Sequence, residues 1–565
     1  MAIAVRAYAN SDDVTIVWRP DAPIPGCRGF ALLRQARDAA GNVSLSTVDT
    51  WVGFAGDPKA QSGVATPSTT WPIQRFVWSD YFAAGAAAVQ YQVVPMLGSK
   101  DALTRSPQTS GWTDWVSVGT QKTPGIGAWF NRGVVASQWV ARALGKQGGS
   151  PATTLAGDIR KPGDPLRTEL GGTLLAAVLS ALADANALGK TIYLALYELN
   201  DPQLIAALEA FGKRCNLLLG SGAYKSGAPD ENAAVRKALR ASGKINLYDR
   251  LVGSPHFAHN KFVVFCDADG TPRRVWTGSL NWTVTGLCTQ VNNGIYVDDA
   301  DLAASYLARW NALKAAGKSY PPSLLAAGSQ PASARLGAAS LTAWQAPCNG
   351  LVDLAGARRL IQGARQGVLF LMFNPGPKGT LLNDILALDA TRLFIRGVVN
   401  QDPGGTKDPL LNFYDKGKQI VADPEAVIPA AIKSTVQGWF ESEYKGSMVM
   451  VHSKVIVVDP FGDHPVVMTG SHNLGPKASG KNDDNLLIVE NAPGLAAEYA
   501  INILGVYDHY KFRHNQALVA GKPGAAAAPS WAGLQDNDSW QQGYFTGEQA
   551  RELDFWFGMT APAAG

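Results

Sequence analysis

Val451-His452-Ser453-Lys454-Val455-Ile456-Val457-Val458-Asp459, followed by Gly470-Ser471-His472-Asn473, is the stretch whose reading decides the fold. An earlier copy has the same order: His259-Asn260-Lys261 runs into Phe262-Val263-Val264-Phe265 and leads to Gly278-Ser279-Leu280-Asn281. From His to Gly is 19 residues in the earlier copy and 18 in the later. A lone His-x-Lys means little. Two of them, each opening an apolar strand-like run and each followed at matched distance by Gly-Ser-x-Asn, describe an internal repeat. Such a repeat suits chemistry on a phosphodiester. One imidazole can attack phosphorus, the other can protonate the leaving oxygen, and the lysines can hold the phosphate charge.

Working outward, apolar strand runs alternate with helical stretches on both sides of each copy. Leu174 to Leu188, ending near Gly189, predicts a helix; Thr191–Tyr197 a strand; Pro202–Phe211 a helix; Cys215–Leu219 a strand. The later half repeats this order, with helix to Ala364, strand Val368–Phe373, helix Leu381–Leu388 and strand Arg392–Val399. The alternation predicts α/β layers with covered sheets, and the motifs stand 193 residues apart. The expectation is therefore two α/β halves related by a pseudo-twofold, residues 123–330 and 331–565, joined by a Pro/Ala/Gly/Ser-rich linker at 320–340. Gly521 to Ser530 reads as a surface loop before a last helix at Glu548–Phe557.

Residues 1–122 read differently. The runs Val14–Trp18, Gly29–Leu33, Phe76–Trp78 and Tyr91–Pro95, separated by Pro, Gly and Ser, predict a small all-β sandwich. Trp18 followed late by Tyr91-Gln92-Val93 resembles fibronectin type III domains, and a positioning role is the reading preferred for this module.

The chain has 565 residues, 46% apolar and 17% charged, with a formal net charge of +4. That describes globular domains with ample core and gives no bulk basic charge for a polymer of phosphates. The five cysteines form no CxxC pair, so free buried thiols are expected in place of a disulfide framework. Neither a secretory leader nor an apolar run of about 18 residues is evident, and a cytoplasmic location is expected, with signal-independent export left open.

The paired motifs resemble the phospholipase D superfamily, whose signature is His-x-Lys-x4-Asp followed by Gly-Ser-x-Asn. The later copy fits in full. In the earlier, Cys266 takes the place of the acid and Asp267 follows one residue on. The resemblance covers both α/β halves. It implies a site between them, with His259, Lys261 and Asn281 facing His452, Lys454 and Asn473, and supporting roles for Ser279, Ser471, Asp267 and Asp459. Each serine is assigned equally to its own turn or to the phosphate. The family also carries a polar residue about 11 positions after each Asn, here Asn292 and Asp484, that orients a catalytic histidine. Taking each as partner to its own half's histidine, Asn292 would hold His259 neutral as nucleophile and Asp484 would favour imidazolium at His452 as proton donor.

The resemblance further implies a metal-independent phosphodiesterase that needs no cofactor and works through a phosphohistidine. A phospholipid head-group diester is the preferred substrate, which would bring the protein to a membrane surface. Nucleic acid is the alternative substrate, and a decayed phosphate-binding protein the alternative outside catalysis. With both copies in one chain, no second subunit is needed to complete the site.

Overall fold

The structure, a computed structural model, describes residues 2–57, 65–119 (82 and 84 apart), 123–133, 151–223, 230–400, 411–415, 418–422, 451–520 and 533–559. The stretch Gly521–Ser530, read above as a loop, lies outside them. The chain divides into two compact units.

The larger unit carries the repeat. Its first sheet contains β1 (Ile126–Phe130), β2 (Thr191–Leu196), β3 (Cys215–Gly220), β4 (Asn246–Arg250), β5 (Lys261–Cys266), β6 (Pro272–Gly278) and β7 (Asn293–Val297) in the order β1-β7-β6-β5-β2-β3-β4. The second contains β8 (Ala332–Leu336), β9 (Ala339–Ala346), β10 (Gly367–Met372), β11 (Phe394–Val399), β12 (Leu411–Asp415), β13 (Lys418–Ala422), β14 (Val455–Val458), β15 (Val466–Gly470) and β16 (Asp484–Glu490). Its order is β8-β9-β16-β15-β14-β10-β11-β12-β13. The run β7-β6-β5-β2-β3 of the first sheet thus recurs as β16-β15-β14-β10-β11 in the second. In each, the strand after the His-x-Lys pairs antiparallel with a central strand that is itself parallel to the next. The central strands are buried on both faces, as their unbroken apolar composition requires.

Helix α1 (Pro165–Ala187) covers the first sheet. It begins earlier than its apolar run suggests. Asp164 caps it by accepting from the Leu166 N–H, and Gly172, at φ 53°, breaks the helical path where the chain presses against Phe130. By length and hydropathy α1 could cross a membrane, contrary to the sequence expectation; Leu166, Leu170, Leu174, Val178 and Leu182 nevertheless lie in the first half's core. The expected linker at 320–340 is ordered structure instead. Pro322–Gly328 is helical, 332–336 is β8, and Arg309 donates to Leu324 O at 3.0 Å. Its small residues permit close approach: a Cβ on Gly328 would stand 2.3 Å from Pro347 O.

The smaller unit is all-β at its N-terminal side. Ile3–Ala9, Val14–Pro20 and Val77–Asp80 form one antiparallel sheet; Val116–Ser117, Ala88–Ser99, Cys27–Arg37 and Val43–Thr47 form the path of a second, with Ala102–Arg105 beside it. The C-terminal residues, assigned from sequence to the second α/β half, belong here from 533 to 559. Trp540 and Tyr544 pack on Phe76, with centroids at 5.8 and 4.4 Å, and Gln541 bonds Ile24 at both its N–H and its carbonyl, each at 3.0 Å. Apolar burial plus a satisfied buried amide holds this segment where a repeat-based reading had no signal for it.

Candidate active site

Each His-x-Lys is fixed by the strand that follows it. Lys261 sits opposite Leu196 at the end of β2, while Lys454 stands at the mouth of β14, one position beyond the Val455–Leu371 pair. Both lysines turn back on their own motif: Lys261 Nζ donates to His259 O at 2.7 Å and Lys454 Nζ to His452 O at 2.5 Å. The ring of Tyr197 lies 4.9 Å from the first ammonium and that of Phe373 4.7 Å from the second. The same rings stand 4.7 Å from the imidazoles of His259 and His452 respectively. All four charged or ionisable side chains are buried.

The orienting residues cross between the halves. His259 Nδ1 donates to Asp484 Oδ1 at 2.8 Å, and His452 Nδ1 donates to Asn292 Oδ1 at 2.9 Å. The expected pairing, Asn292 with His259 and Asp484 with His452, is therefore reversed. The reason is local: β7 and β16 begin at the seam between the sheets, so a residue at the head of either strand reaches the opposite half. Donor roles follow from the partners, since neither acceptor oxygen carries a proton. Asn292 is turned by its own bond from Nδ2 to Gly286 O at 2.9 Å, which leaves its Oδ1 as acceptor. With Nδ1 engaged, Nε2 is the nitrogen each ring can offer.

The serines serve the orienting residues. Ser279 Oγ donates to Asn292 Oδ1 at 2.8 Å and Ser471 Oγ to Asp484 Oδ1 at 2.6 Å, and each accepts a backbone N–H from the next residue, Asn293 or Asn485. These bonds reach outside the Gly-Ser-x-Asn turns, to the residues that orient the histidines. A second crossed pair, not anticipated, ties the seam. Thr277 Oγ1 donates to Asn485 Oδ1 at 2.8 Å, and Asn293 Nδ2 donates to Thr469 Oγ1 at 2.9 Å. The Asn-Asn and Asp-Asn dipeptides at 292–293 and 484–485 were visible in the sequence as this signal.

The two acids after the motifs part company. Asp459 accepts the backbone N–H groups of Arg365, Gln366 and Gly367 at 2.7 to 2.9 Å, fastening the start of β10. Asp267 instead sits at the surface between Lys190 and Arg273, and Cys266 fills the buried place. Asn281 Nδ2 donates to Glu198 Oε2 at 2.8 Å, a partner absent from the sequence reading. The Oδ1 atoms of Asn281 and Asn473 find no partner among the described residues.

Burial governs the electrostatics. Removal from water, then the Lys261 charge, takes the His259 imidazole down to about 4 against the opposing pull of Asp484. Burial also carries His452 well below its usual value, with Lys454, Lys261 and His259 adding to it and no carboxylate bonded to it among the described residues. Asp484 stays ionised despite its burial because the His259 N–H and the Lys261 ammonium face it. The resting site thus holds two neutral imidazoles beside two lysines, an arrangement that an arriving anion would complete.

A family model described as "Cardiolipin synthase, PLD-like domain" matches residues 178–314 and 357–503, one match to each half. The chain belongs to this phospholipase D-like family. Among similar proteins, a protein named phospholipase D from Rickettsia bellii is 30% identical over 129 residues, 22% of this chain. The phospholipase D-like chain spans 58% of that relative's length. Among solved structures, phosphatidylserine synthase from Haemophilus influenzae is matched at 13% identity and a TM-score of 0.39, over 59% of this chain and 84% of that one. The phospholipase D family member Nuc from Salmonella typhimurium is matched at 21% identity and a TM-score of 0.21, over 26% and 90%.

Proposed function

We propose that the protein is a metal-independent phosphodiesterase that cleaves a phospholipid head-group diester through a phosphohistidine at His259. The observation that carries this reading is the crossed orientation of the imidazoles, a carboxylate behind one and a neutral amide behind the other. Phosphorylation at Nε2 makes an imidazole cationic, and the ring backed by Asp484 gains a fixed counter-charge for that state. His259 is therefore the nucleophile. This assignment agrees with the sequence expectation, but for the opposite reason.

Neutral His259 Nε2 attacks phosphorus, and the bond to the leaving oxygen breaks as His452, protonated once the anionic diester is bound, gives that oxygen its Nε2 proton. His452, now neutral, takes a proton from water. The hydroxide attacks phosphorus, the P–N bond breaks, and both histidines return to their starting forms. Lys261, Lys454 and the amides of Asn281 and Asn473 hold the nonbridging oxygens. The net reaction consumes one water and yields phosphatidic acid plus an alcohol.

The modest net charge favours a lipid diester over a nucleic acid. The N-terminal all-β region is read as a fibronectin type III-like positioning module. The test is turnover, with chelator present, of phosphatidylcholine vesicles and of single- and double-stranded DNA, alongside His259→Ala and His452→Ala. Vesicle cleavage lost in both variants supports the proposal, DNA cleavage moves the site to nuclease chemistry, and activity unaffected by either variant refutes the assigned site.

A further inference from the structure

Beside the difference between Asn292 and Asp484, the two halves of the site differ on one wall. β2 ends at Leu196 opposite Lys261, and β10 ends at Met372, one step beyond the Leu371–Val455 pair. Tyr197 therefore corresponds to Phe373, as their like distances to the histidines and lysines confirm, and the next residues, Glu198 and Asn374, correspond too. Asn374 is exposed, in a left-handed turn at φ 45°. Glu198 is mostly enclosed, and its Oε2 accepts from the Asn281 amide. One half of the site thus carries a carboxylate where the other carries none.

Lys261 and Lys454 are both buried in this site, and the carboxylate described so far, Asp484, is already bonded to His259 and Ser471. We infer that Glu198 is a positioning residue of the reaction proposed above, on which the inference rests: its carboxylate is the second counter-charge that keeps the lysine pair protonated before substrate binds, and its hydrogen bond sets the Asn281 amide to receive a nonbridging phosphate oxygen. The surrounding charges agree. Burial lowers both Lys261 and Lys454, and Asp484 and Glu198 are the groups that oppose it. Burial, then neighbouring Glu231, raises Glu198, and Lys261 pulls it back. Glu231 is anchored in turn by the Ala223 N–H at 2.9 Å. Tyr197, whose hydroxyl burial and these carboxylates raise, and His259, kept neutral by burial, complete the facing groups. Without the Glu198 charge, two ammoniums would share one committed carboxylate, and loss of a proton would be the easiest relief.

Sulfate binding to the full chain, followed by calorimetry, tests this without a chosen substrate, because sulfate keeps one charge state across neutral pH. Glu198→Gln keeps an acceptor for Asn281 but removes the charge. Relative to wild type at the same pH, it should weaken sulfate about tenfold at about pH 8 and far less at about pH 6. Glu198→Ala, which loses the acceptor as well, should weaken binding at both. The alkaline limb of kcat/KM for bis(p-nitrophenyl) phosphate should move toward acid by about one unit in Glu198→Gln. Equal weakening of sulfate by Gln at both values, or tighter binding at both, overturns the inference, the second by showing that Glu198 merely repels anions. Sulfate that binds the wild type but ignores Lys454→Met would instead refute the phosphate site itself.

Discussion

At the scale of single residues, the exchange of Asp484 and Asn292 between the halves underlies the division of labour proposed for the two histidines. Asp484→Asn keeps the hydrogen bond to His259 but removes the charge that would face the ring once phosphorylated in the proposed reaction. It should lower kcat by about 10²- to 10⁴-fold, with substrate affinity changed much less. Rapid quench with labelled diester should place the phosphoryl group on His259, and a label on His452 would reverse the roles. The same burial has a cost in acid. The His259 pKa in the folded protein, about 4, lies below its unfolded value, so between about 6.5 and 4 the unfolded chain binds more protons. Stability is therefore full above about 6.5 and falls with pH through that window, by about 3 kcal/mol from this group. Chemical denaturation of wild type and His259→Gln across the window should show a flatter slope in the variant. The paired motif residues were legible because their type and spacing recur in both copies, and the structure brings them to one seam. Their partners were not, since an orienter 11 residues downstream in sequence can serve either half, and only the seam between sheets decides which.

At the scale of elements, the glycine that opens each Gly-Ser-x-Asn turn is a close-approach position. Gly278 and Gly470 both have φ 139°, and a Cβ there would lie 2.3 Å from the carbonyl oxygen of Asn293 or Asn485. That carbonyl belongs to the residue following the orienting Asn292 or Asp484. Gly470→Ala should therefore cost more than about 2 kcal/mol and also push Asp484 away from His259, so activity should fall further than stability accounts for. Asp459→Ala removes the acceptor for three backbone N–H groups and should cost about 3 kcal/mol, read as a shift in denaturation midpoint. The α/β alternation and most strand positions around the motifs were readable from unbroken apolar runs. Helix α1 was read short because Gly171 and Gly172 interrupt its pattern, and residues 320–340 were read as linker because small residues signal flexibility and tight packing alike.

At the scale of the whole molecule, sequence repeats explain the α/β unit and mislead about the chain's last part. Residues 533–559 pack with the N-terminal sheets, where Trp540 meets Phe30 and Phe76 edge-on and Asp554 pairs with Arg19 at 2.6 Å. Trp540→Ala should cost the smaller unit about 3 kcal/mol and lower its melting transition, leaving that of the α/β unit in place in calorimetry. No periodicity could announce this contact, since it joins segments more than 400 residues apart. Its consequence is temporal. During synthesis these sheets emerge with their aromatic face uncovered, and the segment that covers it is made only after both repeats, so a part that appears before the repeats is finished after them.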